Sequence, residues 1–82
     1  MIIKILGTGC PKCKKLEESA VKAVEKSGVD ATVEKVTSIN DIMNYGVMIT
    51  PALVIDDKVV STGKVLSTDE VEKLIEVNVS GE

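Results

Sequence analysis

The sequence predicts an α/β fold: a four-stranded mixed sheet flanked by three helices, in the order βαβαββα. Two observations carry this. Valine and isoleucine dominate a chain that is 44% hydrophobic with Tyr45 as its single aromatic, and β-branched side chains suit a pleated surface. Short apolar runs also alternate with stretches of helical periodicity, beginning as strand–helix–strand, whose right-handed crossover makes two parallel strands. At 82 residues the chain is expected to be one domain, residues 1–82, near the lower limit for a single core.

Ile2 to Leu6 is a β-branched run ending at Gly7-Thr8-Gly9 and reads as a buried first strand. Pro11 suits the first helical position, which has no use for its missing N–H, and this makes Cys10 the N-cap. Cys13, Leu16, Ala20, Ala23 and Val24 then share one helical face, with Glu17 and Glu18 outward, and Gly28 ends the helix. Alternation from Ala31 to Val36 gives a second strand, with Ala31, Val33 and then Lys35 on one side. Ser38 is expected to cap a shorter helix with Ile39, Ile42 and Met43 inward, closed by Gly46. After Thr50-Pro51, the runs Ala52–Ile55 and Val59–Thr62 flank Asp56-Asp57-Lys58 as a hairpin, and Gly63 breaks its second strand. Ser67 to Glu70 is a capping box opening a last helix with Val71, Leu74 and Ile75 inward. Residues Asn78 to Glu82 are expected to fray.

Charge narrows the function. The formal charge is −3, with ten lysines and neither arginine nor histidine. A nucleic-acid binder would show a basic stripe, arginine contacts and stacking aromatics, so that class is rejected. Lack of histidine excludes imidazole catalysis and imidazole metal ligation within one chain. The opening Met1 to Leu6 is too short for a signal peptide, and no run approaches membrane-spanning length. A cytoplasmic monomer with no membrane partner is therefore expected. In a reducing compartment two cysteines make a poor structural staple, so their spacing asks for chemistry or metal as its reason.

Cys10-Pro11-Lys12-Cys13 lies where a strand gives way to a helix. A thiol at the N-cap faces unpaired amides and the positive end of the helix dipole, which favour the thiolate, the nucleophilic form. Cys13, one turn on and on the same side, is near enough to close a disulfide and is expected deeper against the strand. Cys10 is thus the attacking thiol and Cys13 the resolving one. Lys12, Lys14 and Lys15 crowd a helix end where cations oppose the dipole, and such violations mark functional sites. With Pro11 setting the helix start, they would lower the pKa of Cys10. Inert packing of two small hydrophobes, or a thiolate metal site, are the competing readings of the pair.

The Cys-Pro-x-Cys motif after the first strand, the βαβαββα order and Thr50-Pro51 before the hairpin resemble the thioredoxin/glutaredoxin superfamily along the whole chain. The likeness is nearest to the small redox-active disulfide proteins of archaea and anaerobic bacteria. It implies a thioredoxin-like fold and a dithiol–disulfide oxidoreductase that needs no cofactor or metal of its own. Its partners would be disulfide-bearing client proteins and a separate disulfide reductase. It further implies that Pro51 is cis beside the cysteines, that Thr50 offers backbone groups to the substrate chain, and that Gly63 lets partners approach. The glycine pair and Asp that hold glutathione in glutaredoxins are not reproduced at Gly63-Lys64-Val65, so protein disulfides are the expected substrates. The rival is a soft-metal (copper- or zinc-type) binding or chaperone domain using the same cysteines, on a βαββαβ fold that needs a hairpin where Ser38 to Gly46 reads helical.

Overall fold

The computed structural model of the protein describes residues 1–9 and 11–80. Its elements are β1 (Ile2–Leu6), α1 (Pro11–Ser27), β2 (Thr32–Val36), α2 (Ile39–Asn44), β3 (Ala52–Ile55), β4 (Lys58–Thr62) and α3 (Thr68–Ser80). The order is the expected one, and a helix stands where the metal-chaperone fold requires a hairpin. No described helix is long and apolar enough to cross a membrane.

The strands lie in the order β2-β1-β3-β4. β1 runs parallel to β2, with Ile2 opposite Thr32 and Leu6 opposite Val36. It runs antiparallel to β3, with Ile3 opposite Ile55 and Leu6 opposite Ala52. β3 and β4 form the hairpin, irregular between Leu53 and Val54. Its turn has only two residues, Asp56 and Asp57, at φ 49° and 67°, so Lys58 belongs to the strand. Left-handed turns of this kind match the twist of paired strands, and Asp tolerates them. Asp56 also secures β1, since Ile2 N–H donates to its Oδ1 at 2.9 Å.

All four residues of β3 are buried, as expected of an apolar strand covered on both faces. On one face Ile3, Ile5, Leu53 and Ile55 pack with Leu16, Ala20 and Ala23 of α1 and Val71 and Ile75 of α3. On the other, Leu6, Ala52 and Val54 pack with Ile42 and Val47, joined by Val36 and Tyr45. Burial of each such aliphatic side chain contributes about 1.5–3 kcal/mol. The short α2 leaves part of this second face to Lys4, whose ammonium donates to the Tyr45 hydroxyl at 2.7 Å and lies 3.6 Å from Asp57. The Tyr45 bond holds the Lys4 pKa above its ordinary value.

Several details depart from the sequence reading. Only Ile42 of α2 is buried; Ile39 and Met43 face solvent. Ser38 holds the N-cap position without a side-chain capping bond, and its carbonyl accepts from Ile42 N–H at 3.0 Å. β2 begins at Thr32, one residue later than expected. α3 does not fray at Asn78 but runs to Ser80, with the Asn78 amide donating to the Leu74 carbonyl at 2.8 Å. Gly81 and Glu82 lie outside the described residues.

The capping box forms as expected. Ser67 N–H donates to Glu70 Oε1 at 3.0 Å, and Glu70 N–H donates to Ser67 Oγ at 3.2 Å. The bonds from Ser67 hold the Glu70 carboxyl below its ordinary pKa of 4.5. Their contribution is therefore present at neutral pH and lost as pH falls from 4.5 through the lower folded-state value. Ser67→Ala should lower stability by about 1 kcal/mol in urea titrations at pH 7. The difference from the parent protein should shrink in acid.

Candidate active site

β1 hands the chain to α1 through residues 7–10, of which 7–9 are described. Gly7 N–H donates to the Val36 carbonyl at 3.0 Å, extending the parallel pairing beyond Leu6. Gly9, at φ 94°, turns the chain in a conformation that side-chain-bearing residues rarely adopt. Cys10, expected to be the N-cap and attacking thiol, lies outside the described residues. Pro11 is the first residue of α1 and is exposed, as is Lys12.

Cys13 is buried, 6% exposed, in the first turn. A Cβ at Gly7 would overlap Cys13 Sγ and would lie 3.2 Å from Cys13 Cβ and 3.9 Å from Thr50 Cβ. The Cys13 sulfur thus rests on the bare backbone at the end of β1, the depth expected of it, with Thr50 beside it. The Thr50–Pro51 peptide bond is cis, Thr50 is exposed and Pro51 is buried. The Pro51 carbonyl accepts from Gly63 N–H at 2.8 Å. Gly63, at φ 70°, sits where an added Cβ would come 2.8 Å from Ile49 Cγ2. Cys13, Thr50, Pro51 and Gly63 therefore gather at one end of the sheet, although they come from α1, the α2–β3 loop and the end of β4.

Two groups not singled out by the sequence join them. Cys13 lines a cavity of about 60 Å3 together with Gly9, Lys14, Glu17, Lys35 and Thr37. That is room for water. Glu17, assigned outward by periodicity, is only 29% exposed and its Oε1 lies 3.9 Å from Lys35 Nζ. The signal was present: Glu17 is four residues after Cys13 and so above it on the helix, and Lys35, though 62% exposed, lies on the same side of β2 as Val33. The Cys13 thiol thus has a small cavity with charged lining on one side and Thr50 on the other.

Gly7→Ala should destabilise the fold by about 1–3 kcal/mol, the usual range for overpacking. Adding Cys13→Ala should recover a large part of that loss, because the overlapping sulfur is gone. Urea titration of the two variants and the parent would show it, and an undisturbed Gly7→Ala protein would contradict the contact.

Similar sequences are known. The thioredoxin domain family matches residues 1–76. A thioredoxin of Methanocaldococcus jannaschii is 41% identical over 81 residues, covering 99% of this chain and 93% of that protein. A thioredoxin of Methanothermobacter thermautotrophicus is 37% identical over 75 residues, covering 92% of this chain and 97% of that protein.

Proposed function

The chain belongs to the thioredoxin domain family and is a thiol–disulfide oxidoreductase, and we propose that it reduces protein disulfides through the Cys10-Pro11-Lys12-Cys13 motif. The observation that best supports this reading is the seat of Cys13, buried on Gly7 next to Thr50 at the mouth of a small charged cavity. In this reading residues 1–82 work as one domain in the cytoplasm, without cofactor or metal.

Cys10 thiolate, favoured by Pro11, Lys12 and the helix terminus, attacks one sulfur of the client disulfide. The client S–S bond breaks, and the first client thiolate leaves and takes up a proton. The client chain is held in the mixed disulfide along Thr50 and Pro51, an edge that Gly63 braces through its bond to the Pro51 carbonyl while Ile49 fills the space above Gly63. Cys13 then gives its proton to the cavity, where Glu17 is the carboxylate that can accept it through water and Lys35 holds that carboxylate in place. The Cys13 thiolate attacks Cys10 sulfur, the bond from Cys10 to the client breaks, and the second client thiolate is released and protonated. The client gains two electrons and two protons, and the protein is left as the Cys10–Cys13 disulfide. A separate disulfide reductase returns it to the dithiol.

Cys10→Ser should abolish reduction of a disulfide-bonded test protein such as insulin. Cys13→Ser should stall as a mixed disulfide visible on a non-reducing gel. In the same assay, Glu17→Gln should form the mixed disulfide at the parent rate but release it more slowly, most clearly below pH 8. Trapping by the Cys10→Ser variant, or no trapped adduct from either cysteine variant, would contradict the two-step exchange.

A further inference from the structure

Two features of the surface around Cys13 and Thr50 are unused by the exchange chemistry. On the α2 side, Ile39, Met43, Met48 and Ile49 are 63, 65, 93 and 62% exposed. Three of them, with Thr8 and Thr50, line a groove of about 310 Å3 floored by Ile42 and Val47. Scattered aliphatic side chains are ordinary on a surface, but a contiguous patch marks a contact. The groove shares Thr50 with the edge where the client backbone is read to lie, so the two form one continuous surface. Its methionines are unbranched and adapt to differently shaped partners.

On the α1 side, Lys12, Lys14 and Lys15 are exposed in a first turn that contains no acid. Three cations at the positive end of a helix are unfavourable in the free protein and are relieved by an anionic neighbour. Lys15 shares a surface cleft with Glu18 and Glu70, and Glu17 faces Lys35 at 3.9 Å, which leaves Lys12 and Lys14 as the cations nearest the site. The whole chain carries a charge of −3 and would repel an acidic partner unless local cations met it. α1 and α2 pack on opposite faces of the sheet, so basic and apolar surfaces flank the site from its two sides.

We infer that the clients carry their reactive disulfide in a segment apolar on one flank of the cysteine and acidic on the other. This rests on the exchange reading above. A bulky aliphatic or aromatic side chain enters the groove beside Thr8 and Thr50. Aspartate or glutamate on the opposite flank meets Lys12 and Lys14. The apolar contact holds the mixed disulfide, while the charges speed encounter and select against basic partners.

Three disulfide peptides test this, with flanks of leucine and glutamate, serine and glutamate, or leucine and lysine. Ratios of their reduction rates cancel the reactivity of the attacking thiol. Leucine–glutamate should exceed serine–glutamate by about tenfold, the effect of burying most of one aliphatic side chain. It should exceed leucine–lysine several-fold at low ionic strength, and the gap should close near 1 M salt, where charges are screened within about 3 Å. Met43→Ser with Met48→Ser should draw the first ratio toward one, and Lys12→Glu with Lys14→Glu should invert the second. Equal rates for all three peptides at low salt, while neutral 2-hydroxyethyl disulfide is reduced, would overturn the inference and leave the exchange reading standing. A peptide preference that disappears as a dimer forms at higher protein concentration would assign the groove to a second copy and also overturn it. Failure to reduce the neutral disulfide would remove the exchange reading and this inference with it.

Discussion

α1 closes on the end of β1 because position 7 carries no side chain. β1 is an inner strand, paired with β2 on one side and β3 on the other, so whatever follows Leu6 must leave the sheet between two neighbours. The Gly7 amide stays in the sheet through Val36, while the space a Cβ would fill is taken by the Cys13 sulfur. Because Leu6 pairs with Ala52, the chain entering β3 arrives at the same end, bringing Pro51 and Thr50 to the thiol. The site is thus a consequence of strand register together with one missing side chain, and the hairpin completes it through the Gly63 to Pro51 bond.

The two faces of the sheet serve this junction differently. α1 and α3 cover one face with a continuous aliphatic core, and Lys26 joins the helices through Asp69 at 3.3 Å. That exposed ion pair adds little, so packing sets the position of α1. The opposite face is covered by six residues of α2, with the chain from Lys4 to Tyr45 to Asp57 closing part of what remains. A firmly packed helix holds the thiol, and a short one leaves apolar side chains at its border. Functional residues on loops carried by a rigid scaffold commonly divide in this way.

Legibility in the sequence followed the strength of local physics. β1, α1 and the α3 capping box could be read because each has a sharp end signal: a glycine cluster, a proline at the first helical position, and the Ser67–Glu70 exchange. The depth of Cys13 could be read because a residue one turn into a helix that follows a strand packs back on that strand, whereas Cys10 lies outside the described residues. α2 misled because Ile39, Ile42 and Met43 sit at helical spacing, yet fewer than two turns lie on a narrow strip of sheet and only Ile42 reaches it. Glu17 misled in the opposite sense, since a charged residue on an exposed helix is ordinarily solvated, and that expectation outweighed its place one turn after Cys13, which brings it to the cavity. α3 continued past Asn78 because no glycine interrupts it before Gly81 and the Asn78 amide bonds within the helix.

The central claim is that Cys10 and Cys13 form a reversible two-electron couple. The most direct measurement is a redox titration in glutathione buffers, with thiols blocked at each point and the cysteine-bearing peptide weighed. One transition should appear between a dithiol and an internal Cys10–Cys13 disulfide, with a midpoint of roughly −200 to −270 mV, between glutaredoxins and thioredoxins. Thiols that remain reduced across the whole range, or a midpoint near the strong-oxidant value of about −120 mV, would contradict it.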